Sequence, residues 1–401
     1  MYLPSAAHLP QPSGHTQPPR PPPAYTKPMK LIEPRPVPLG GLRAMTVRRL
    51  LPSRDRRMVG AWCFIDHYGP DDVAVTGGMR VAPHPHTGLQ TASWIFTGTI
   101  EHRDSLGTVA DVRPGELNLM TAGYGINHSE YSTPDTTVLH GIQLWIALPH
   151  QDMNTAPAFE NFVPEALTFD GQGSGQDASA PAPVQACVFL GSLGVAVDGQ
   201  IRTGSSPVTT FSPLLGAEIL VGAPGSVPGV DKNPADDAPR RTITLTLNPE
   251  YEHGFVVDTG ALLIRGQQVA ADEMLFIEPG TTELTIEAIG DTRLILLGGA
   301  PFGEEIAIWW NFIGRSHEGI VEARAAWNAQ AESFEAVTAP AGASGTEIVT
   351  GGLLAAGQDA SPGYPRFGGV VLLPGEYEEQ PRTSVIPAPE LPNARLKLRG
   401  D

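Results

Sequence analysis

Cysteine is scarce in this chain, with only Cys63 and Cys187 among 401 residues. Two thiols set far apart cannot make a disulfide framework, so the expected home is the reducing cytoplasm. Basic residues are also few, 26 Lys and Arg against 43 Asp and Glu, giving a formal net charge of -17. That balance argues against a nucleic-acid surface as the main function, and against a simple electrostatic membrane anchor. No apolar run is long enough to cross a bilayer. The first 30 residues are dense in proline, including Pro21-Pro22-Pro23, and have no apolar core. They read as a disordered, polyproline-leaning leader and not as a secretory signal, with His8 and His15 solvated within it.

Glycine (45) and proline (40) are abundant, and hydrophobic residues make up 41% of the chain. The length allows two or three domains, and the composition favours a turn-rich all-β protein. Gly60 to Ile65 reads as a buried strand with Asp66-His67-Tyr68-Gly69-Pro70 as its turn. Thr91 to Phe96 is another strand, Glu101 to Gly107 a polar hairpin turn, and Val109 to Val112 a return strand. Ile142, Leu144, Ile146 and Leu148 alternate with Gln143, Trp145 and Ala147, the period of a half-buried strand. His140 and His150 flank it as structural or surface residues. A second series follows, at Val184 to Leu190, Ile243 to Leu247, Gly254 to Val257, Ala261 to Ile264, Glu273 to Ile277, Glu283 to Ile286 and Thr292 to Leu297. The repeated rhythm of short strands and glycine turns implies two similar β-barrels in tandem. The expected organisation is a leader over 1–30, a first barrel over 31–165, a linker over 166–183 and a second barrel over 184–310. A helix within 311–330, a flexible insertion over 331–365 and an extended strap over 366–401 complete it. The helix is clearest from Ser316, a fair N-cap, to Trp327, with Ile320, Ala323 and Trp327 on one face.

Chemistry concentrates between Pro83 and Glu130. In a strand, side chains at i and i+2 point to the same face, ~6.6 Å apart along the chain. His84 and His86 therefore present two imidazoles to one side, and His128 and Glu130 repeat that geometry with an imidazole and a carboxylate. Gly123 and Gly125, just before His128, allow backbone conformations closed to other residues. Three neutral imidazoles and a carboxylate form a mixed N/O donor set without the thiolates of a structural zinc cage. It suits Fe, Mn, Ni, Cu or Zn, with Co also possible, and would leave open positions for water or substrate. Glu130 could serve both as ligand and as base. His102, Tyr124, Gln90 and His67 are candidate pocket residues. In the second half Glu252-His253 is the one comparable pair, and it reads as a relic or a surface residue.

The motifs PHPHTGLQT (83–91), EHRDSLG (101–107), PGELNLMTAGYGINHSE (114–130) and GIQLWIALP (141–149) resemble those of pirin-family bicupins. WWNFIGRSHEGIVEARAAW (309–327) and IPAPELPNARLK (386–397) are similar to bacterial members. The resemblance covers residues 31–330 and the last stretch. It implies two cupin barrels packed face to face, with Fe(II) held by His84, His86, His128 and Glu130 in the first and no metal in the second. Some members cleave quercetin-like flavonols with dioxygen, while others are redox-sensing transcriptional cofactors. The resemblance thus implies a quercetinase-like dioxygenase acting on a flavonol or similar aromatic enol. The alternative is a non-catalytic, redox-sensing regulator of protein partners. A third reading is a housekeeping cupin for some other enol. Binding to nucleic acid or membrane is not expected, and the chain is expected to be a monomer. The family usually carries glutamate at Gln90, and tryptophan and arginine at Leu119 and Tyr124. These departures spare the four ligands and bear on the pocket wall.

Overall fold

The computed structural model describes residues 29–38, 45–169, 182–222, 234–235 and 238–330. Most of the leader, the middle of the linker, the 331–365 insertion and the 366–401 strap lie outside the described residues.

The described chain is mainly antiparallel β, folded into two barrels. The first is a seven-stranded sheet facing a four-stranded one. The larger sheet runs, in spatial order, Ala158–Phe162, Leu117–Thr121, Leu89–Thr97, Val138–Ala147, Trp62–Asp72, Thr46–Leu51 and Arg35–Pro38. The smaller runs Arg80–His86, Ile126–Ser132, Ile100–Asp104 and Val109–Val112. The second barrel is a single eleven-stranded sheet. Its edge strand is Met29–Ile32, from near the start of the chain, paired with Met274–Ile277. Ala166–Phe169, which the composition assigns to the linker, pairs with Val184–Leu190 in the same sheet.

Side-chain alternation explains how the barrels meet. Trp62, Ile65, Ala92, Trp94, Leu117, Leu119, Ile142, Leu144 and Ile146 leave the seven-stranded sheet on its outer face. They pack on Phe189, Leu190, Leu214, Val256, Met274, Phe276, Ile295 and Leu297 of the second barrel. Each such Leu, Ile, Val, Phe or Met side chain contributes about 1.5–3 kcal/mol on burial, so an apolar layer common to both barrels joins them. Trp62 ties them further, its Nε1–H directed at the carbonyls of Leu215 (3.2 Å) and Gly298 (3.1 Å).

This face-to-face packing corrects several strand readings. Trp62–Asp72 is one strand running through Asp66, His67 and Tyr68, not a strand and a turn. Val138–Ala147 is covered on both faces, because Trp145 and Ala147 line the first barrel while Ile142 and Leu144 meet the second. Ile100–Asp104 is a strand, with only the following residues making the turn. Two pairs of expected strands fuse. Glu252–Ile264 is continuous through register shifts around Asp258, and Glu283–Gly299 is continuous through Gly290.

After the second barrel the chain returns to the first. Ala307–Trp309 and Phe312–Gly314 form a hairpin, and the helix His317–Gln330 follows. Ser316 caps that helix, its Oγ accepting from the Gly319 N–H at 3.1 Å. Ile320 and Trp327 bury against Trp310 and Phe312. The hairpin docks beside the His84–His86 strand, where the Ile313 N–H donates to the Thr87 carbonyl at 3.0 Å. Gly88 permits the approach: it sits at φ 69, and a Cβ there would lie 2.3 Å from the Ile313 carbonyl oxygen.

Candidate metal centre

The smaller sheet of the first barrel positions the site. Arg80–His86 and Ile126–Ser132 pair antiparallel with His128 directly opposite His84 and Ile126 opposite His86. Opposite residues on one face bring their Cβ atoms to about 5 Å, and the i, i+2 step adds the third ring. The Nε2 atoms of His84 and His86 lie 3.0 Å apart, as do those of His86 and His128. A register shift falls between His128 and Glu130, a bulge that re-aims the carboxylate. Glu130 therefore stands opposite His102. It forms a close group with His128 and His102, while His84, His86 and His128 form another. The structure thus gathers the three imidazoles tightly and sets Glu130 beside His128.

Hydrogen bonds fix where the protons are. His84 Nδ1 is 2.8 Å from the Ala82 carbonyl, which can only accept, so Nδ1 carries the hydrogen and Nε2 is a bare lone pair. His128 Nδ1 faces His102 Nδ1 at 3.3 Å, and His102 Nε2 faces Asp104 Oδ2 at 3.1 Å. The Asp104 carboxylate accepts from His102 Nε2; with His102 a neutral imidazole, its Nδ1 then accepts from His128, and His128 Nε2 is bare as well. His86 Nε2 can donate to one of these two lone pairs and never to both. The Asn311 backbone favours the protonated form of the His86 ring, although Nδ1 makes no hydrogen bond of ordinary geometry. The cluster is short of at least one positive centre. Two nitrogens held ~2.1 Å from one ion at right angles would be ~3.0 Å apart, which is the spacing found. The donor set therefore fits a divalent transition metal.

Burial reinforces this reading. Desolvation lowers His84 to about 4, with the Ala82 carbonyl opposing and His102 adding to the fall. Desolvation, joined by the neighbouring imidazoles, holds His86 and His128 well below the ordinary histidine value. All three are neutral donors at pH 7. Burial raises Glu130, opposed by His102 and by the Ser93 hydroxyl at 3.4 Å.

The wall across from the ligands comes from residues not named as site candidates from the sequence. His86 meets the edge of Trp145 at 5.1 Å, and Trp145 stacks on Phe64 at 4.0 Å. Ser93 also bonds Gln143 at 2.8 Å. His102 stacks on Phe159 at 4.7 Å. Strand alternation in Val138–Ala147 and Leu89–Thr97 is the signal that could have found Trp145, Gln143 and Ser93. Asn311, arriving from beyond the second barrel, had no local signal.

Two expected pocket residues point elsewhere. Gln90 shares the outer face with Ala92 and Trp94, bonding Thr121 Oγ1 at 2.9 Å. His67 also faces the second barrel. Tyr124 is half-buried in the turn before His128, its N–H bonded to the Thr155 carbonyl at 3.1 Å. His253 is fully buried, not a surface residue.

His67, His140 and Asp258 form a second convergent group, at the interface of the barrels. Asp258 Oδ1 lies 2.7 Å from His67 Nε2 and 2.6 Å from His140 Nε2. Arg293 Nη1 is 3.2 Å from Asp258 Oδ2, and Arg48 Nη2 is 3.3 Å from His67 Nδ1. Asp272 and Glu218 complete the set, 2.8 Å from Arg48 and 3.0 Å from Arg293. Burial alone would raise Asp258, but the hydrogen bonds from His140 and His67 hold it far below the usual carboxylate range. Each carboxylate of this group is matched by an imidazole or a guanidinium, and the two guanidiniums would repel a cation. This group reads as an interface knot.

Residues 44–146 match the pirin family, and residues 237–333 match the Pirin C-terminal cupin domain. A Pseudomonas aeruginosa protein named "Putative quercetin 2,3-dioxygenase" is 42% identical over 289 residues, spanning 72% of this chain and 80% of the relative. The chain belongs to the pirin family. A pirin-like protein of Caulobacter vibrioides is 32% identical over 291 residues, or 71% of this chain and 88% of that one. A crystal structure of quercetin 2,3-dioxygenase from Acinetobacter baumannii superposes with a TM-score of 0.62 at 34% identity, covering 75% of this chain and 88% of that chain. The fold is accordingly the two-domain pirin cupin. Among the described residues no helix is long and apolar enough to cross a membrane.

Proposed function

We propose that this pirin binds one divalent metal, Fe(II) in the cell, through His84, His86, His128 and Glu130. It uses the metal to cleave a flavonol, or a similar aromatic enol, with dioxygen. The observation that carries the metal is the convergence of three Nε2 atoms, that of His86 lying 3.0 Å from each of the other two, with His84 Nδ1 turned to the Ala82 carbonyl and His128 Nδ1 to His102. The names of the relatives from Pseudomonas and Acinetobacter support the substrate class, and the aromatic wall of Trp145, Phe64 and Phe159 suits a flat ring.

Bound there by His84, His86, His128 and Glu130, the metal would supply a Lewis acid that polarises the substrate oxygen. The chain's own residues do the rest. His84 and His128 are held by their Nδ1 hydrogens so that Nε2 points inward. Glu130 Oε1, steadied by Ser93, accepts the proton from the substrate hydroxyl, leaving an electron-rich enolate for oxygen to attack. Trp145 and Phe159 exclude water. Both oxygen atoms end in the products, so no external reductant is needed. The second barrel is proposed as a metal-free support. The cytoplasm is the proposed compartment, since both cysteines are free.

The test is to load metal-free protein with Fe(II), Mn(II), Co(II), Ni(II), Cu(II) or Zn(II) and follow oxygen uptake over a panel of flavonols and other enols. Glu130→Ala is expected to reduce bound metal and turnover together. Turnover that persists without metal overturns the proposal. Clear metal binding with no oxygen uptake on any substrate, and with partners captured in only one redox state, favours the regulator.

A further inference from the structure

The residues behind His128 are arranged with more order than packing requires. Asp104 is buried, and each of its oxygens has a distinct task. Oδ1 accepts the backbone N–H groups of Leu106 at 2.9 Å and Thr108 at 3.0 Å, closing the turn that follows the strand. Oδ2 faces His102 Nε2 at 3.1 Å. His102 is clamped flat by Phe159 at 4.7 Å and turns its Nδ1 to His128 Nδ1 at 3.3 Å. The order of the row is carboxylate, imidazole, ligand imidazole.

We propose that Asp104 and His102 are a positioning pair that fixes the tautomer of His128. A carboxylate accepts at both oxygens and donates at neither. Oδ2 therefore demands a hydrogen on His102 Nε2, which in the neutral imidazole leaves His102 Nδ1 an acceptor. That acceptor demands a hydrogen on His128 Nδ1, which leaves His128 Nε2 free to bind. Ligand histidines are commonly held by a carboxylate or carbonyl on their second nitrogen. Here an intervening imidazole transmits the same instruction from one strand to the next. His102 is thus assigned to the support of a ligand, not to contact with substrate.

The turn makes the inference sharply testable. In Asp104→Asn the two backbone donors keep the amide oxygen at the Oδ1 position. The amide N–H groups must then face His102 Nε2, which has to accept. His102 flips to its other tautomer and presents an N–H to His128 Nδ1, so the proton on His128 is driven to Nε2, the nitrogen required inside the site. The turn itself is preserved. His102→Phe removes the relay and keeps an aromatic ring on Phe159.

The inference rests on the metal-centre reading, so the experiment separates the two. First, ¹⁵N-imidazole NMR of the metal-free protein reports the tautomer directly. The wild type is expected to show His128 protonated at Nδ1, and Asp104→Asn to show it protonated at Nε2. Either His128 protonated at Nε2 in the wild type, or no change in the variant, overturns the positioning pair whatever the metal result. Second, calorimetric titration with Co(II) alone measures affinity. Asp104→Asn is expected to weaken binding about 10–100-fold, the usual loss on disturbing a ligand's support. In the His102→Phe background the same Asn substitution is expected to have no further effect, because no ring remains to transmit the wrong tautomer. A penalty that persists unchanged in that background would mark Asp104 as merely structural and would overturn the proposal. Failure of the wild type to bind Co(II), with the tautomers as expected, would refute the metal centre and leave the relay standing.

Discussion

Asp258→Ala is the most incisive perturbation of the interface between the barrels. Asp258 is 2% exposed. Its carboxylate receives His67 at 2.7 Å, His140 at 2.6 Å and Arg293 at 3.2 Å. Three hydrogen bonds to a charged group would sum to about 4–9 kcal/mol at about 1.5–3 each. Such contributions do not add within one network. Removing one partner of a buried ionic pair costs about 3–5 kcal/mol, because the remaining charge stays buried and uncompensated. Arg293 retains Glu218 at 3.0 Å, which keeps the loss within that range. At about 2–4 °C per kcal/mol for a chain of this size class, Tm should fall by about 6–20 °C in differential scanning calorimetry. Metal content, measured in parallel by mass spectrometry, should be unchanged, since Asp258 touches none of His84, His86, His128 or Glu130. A Tm change under about 2 °C would refute the interface reasoning. Loss of one metal equivalent with little change in Tm would show instead that the knot binds an ion.

Trp62→Phe removes the Nε1–H that faces two carbonyls of the second barrel. It should cost about 1–3 kcal/mol in denaturant unfolding, and a neutral result would mean those carbonyls find water. Gly88→Ala forces a left-handed residue and a 2.3 Å clash with the Ile313 carbonyl. Hydrogen exchange at the Ile313 amide should accelerate by at least tenfold, equivalent to about 1.4 kcal/mol of local strain; unchanged protection would count against the docking of the hairpin. His253 is fully buried, and desolvation lowers its pKa to about 4, so the folded state keeps it neutral while the unfolded chain takes up a proton near pH 6.5. Wild-type stability should fall as the pH drops from 6.5 to 4, by about 1.4 kcal/mol per unit relative to His253→Leu; parallel pH profiles for the two proteins would refute this.

The i, i+2 period put His84 with His86, because a strand's side-chain period is a local property. The register shift between His128 and Glu130, which re-aims the carboxylate toward His102, has no signature in that period. Donor types and spacing joined the two segments into one site, but the register of their pairing was not legible, since register depends on turns and on what each face covers. His67 was read as part of a turn because Gly69 and Pro70 follow it. The strand instead continues to Asp72, since the second barrel covers its outer face and gives His67 a carboxylate 191 residues away. Gln90 was misplaced for a related reason: a position where the resemblance expects glutamate was taken to face a pocket, and alternation sends it outward with Ala92 and Trp94. In both cases the missing information was the identity of the covering surface, which no window of sequence contains.

Among the described residues, buried histidines converge with carboxylates in two places, around His128 and around Asp258, and residue type alone does not separate them. Proton supply does. At the interface, His67 and His140 both direct Nε2 at one carboxylate oxygen, and Arg293 neutralises the other. Every carboxylate there faces a guanidinium, so the group carries its own cations. In the first barrel, Ala82 and the Asp104–His102 pair draw the hydrogens of His84 and His128 outward to Nδ1, leaving lone pairs face to face around His86. A buried site built with surplus acceptors is unstable until a cation enters it, and one built with matched donors and acceptors has no use for a cation. The choice between metal centre and structural knot is therefore made by the residues behind the histidines. A substitution at Asp104 should accordingly alter metal affinity, while one at Asp258, equally close to two imidazoles, should alter only stability.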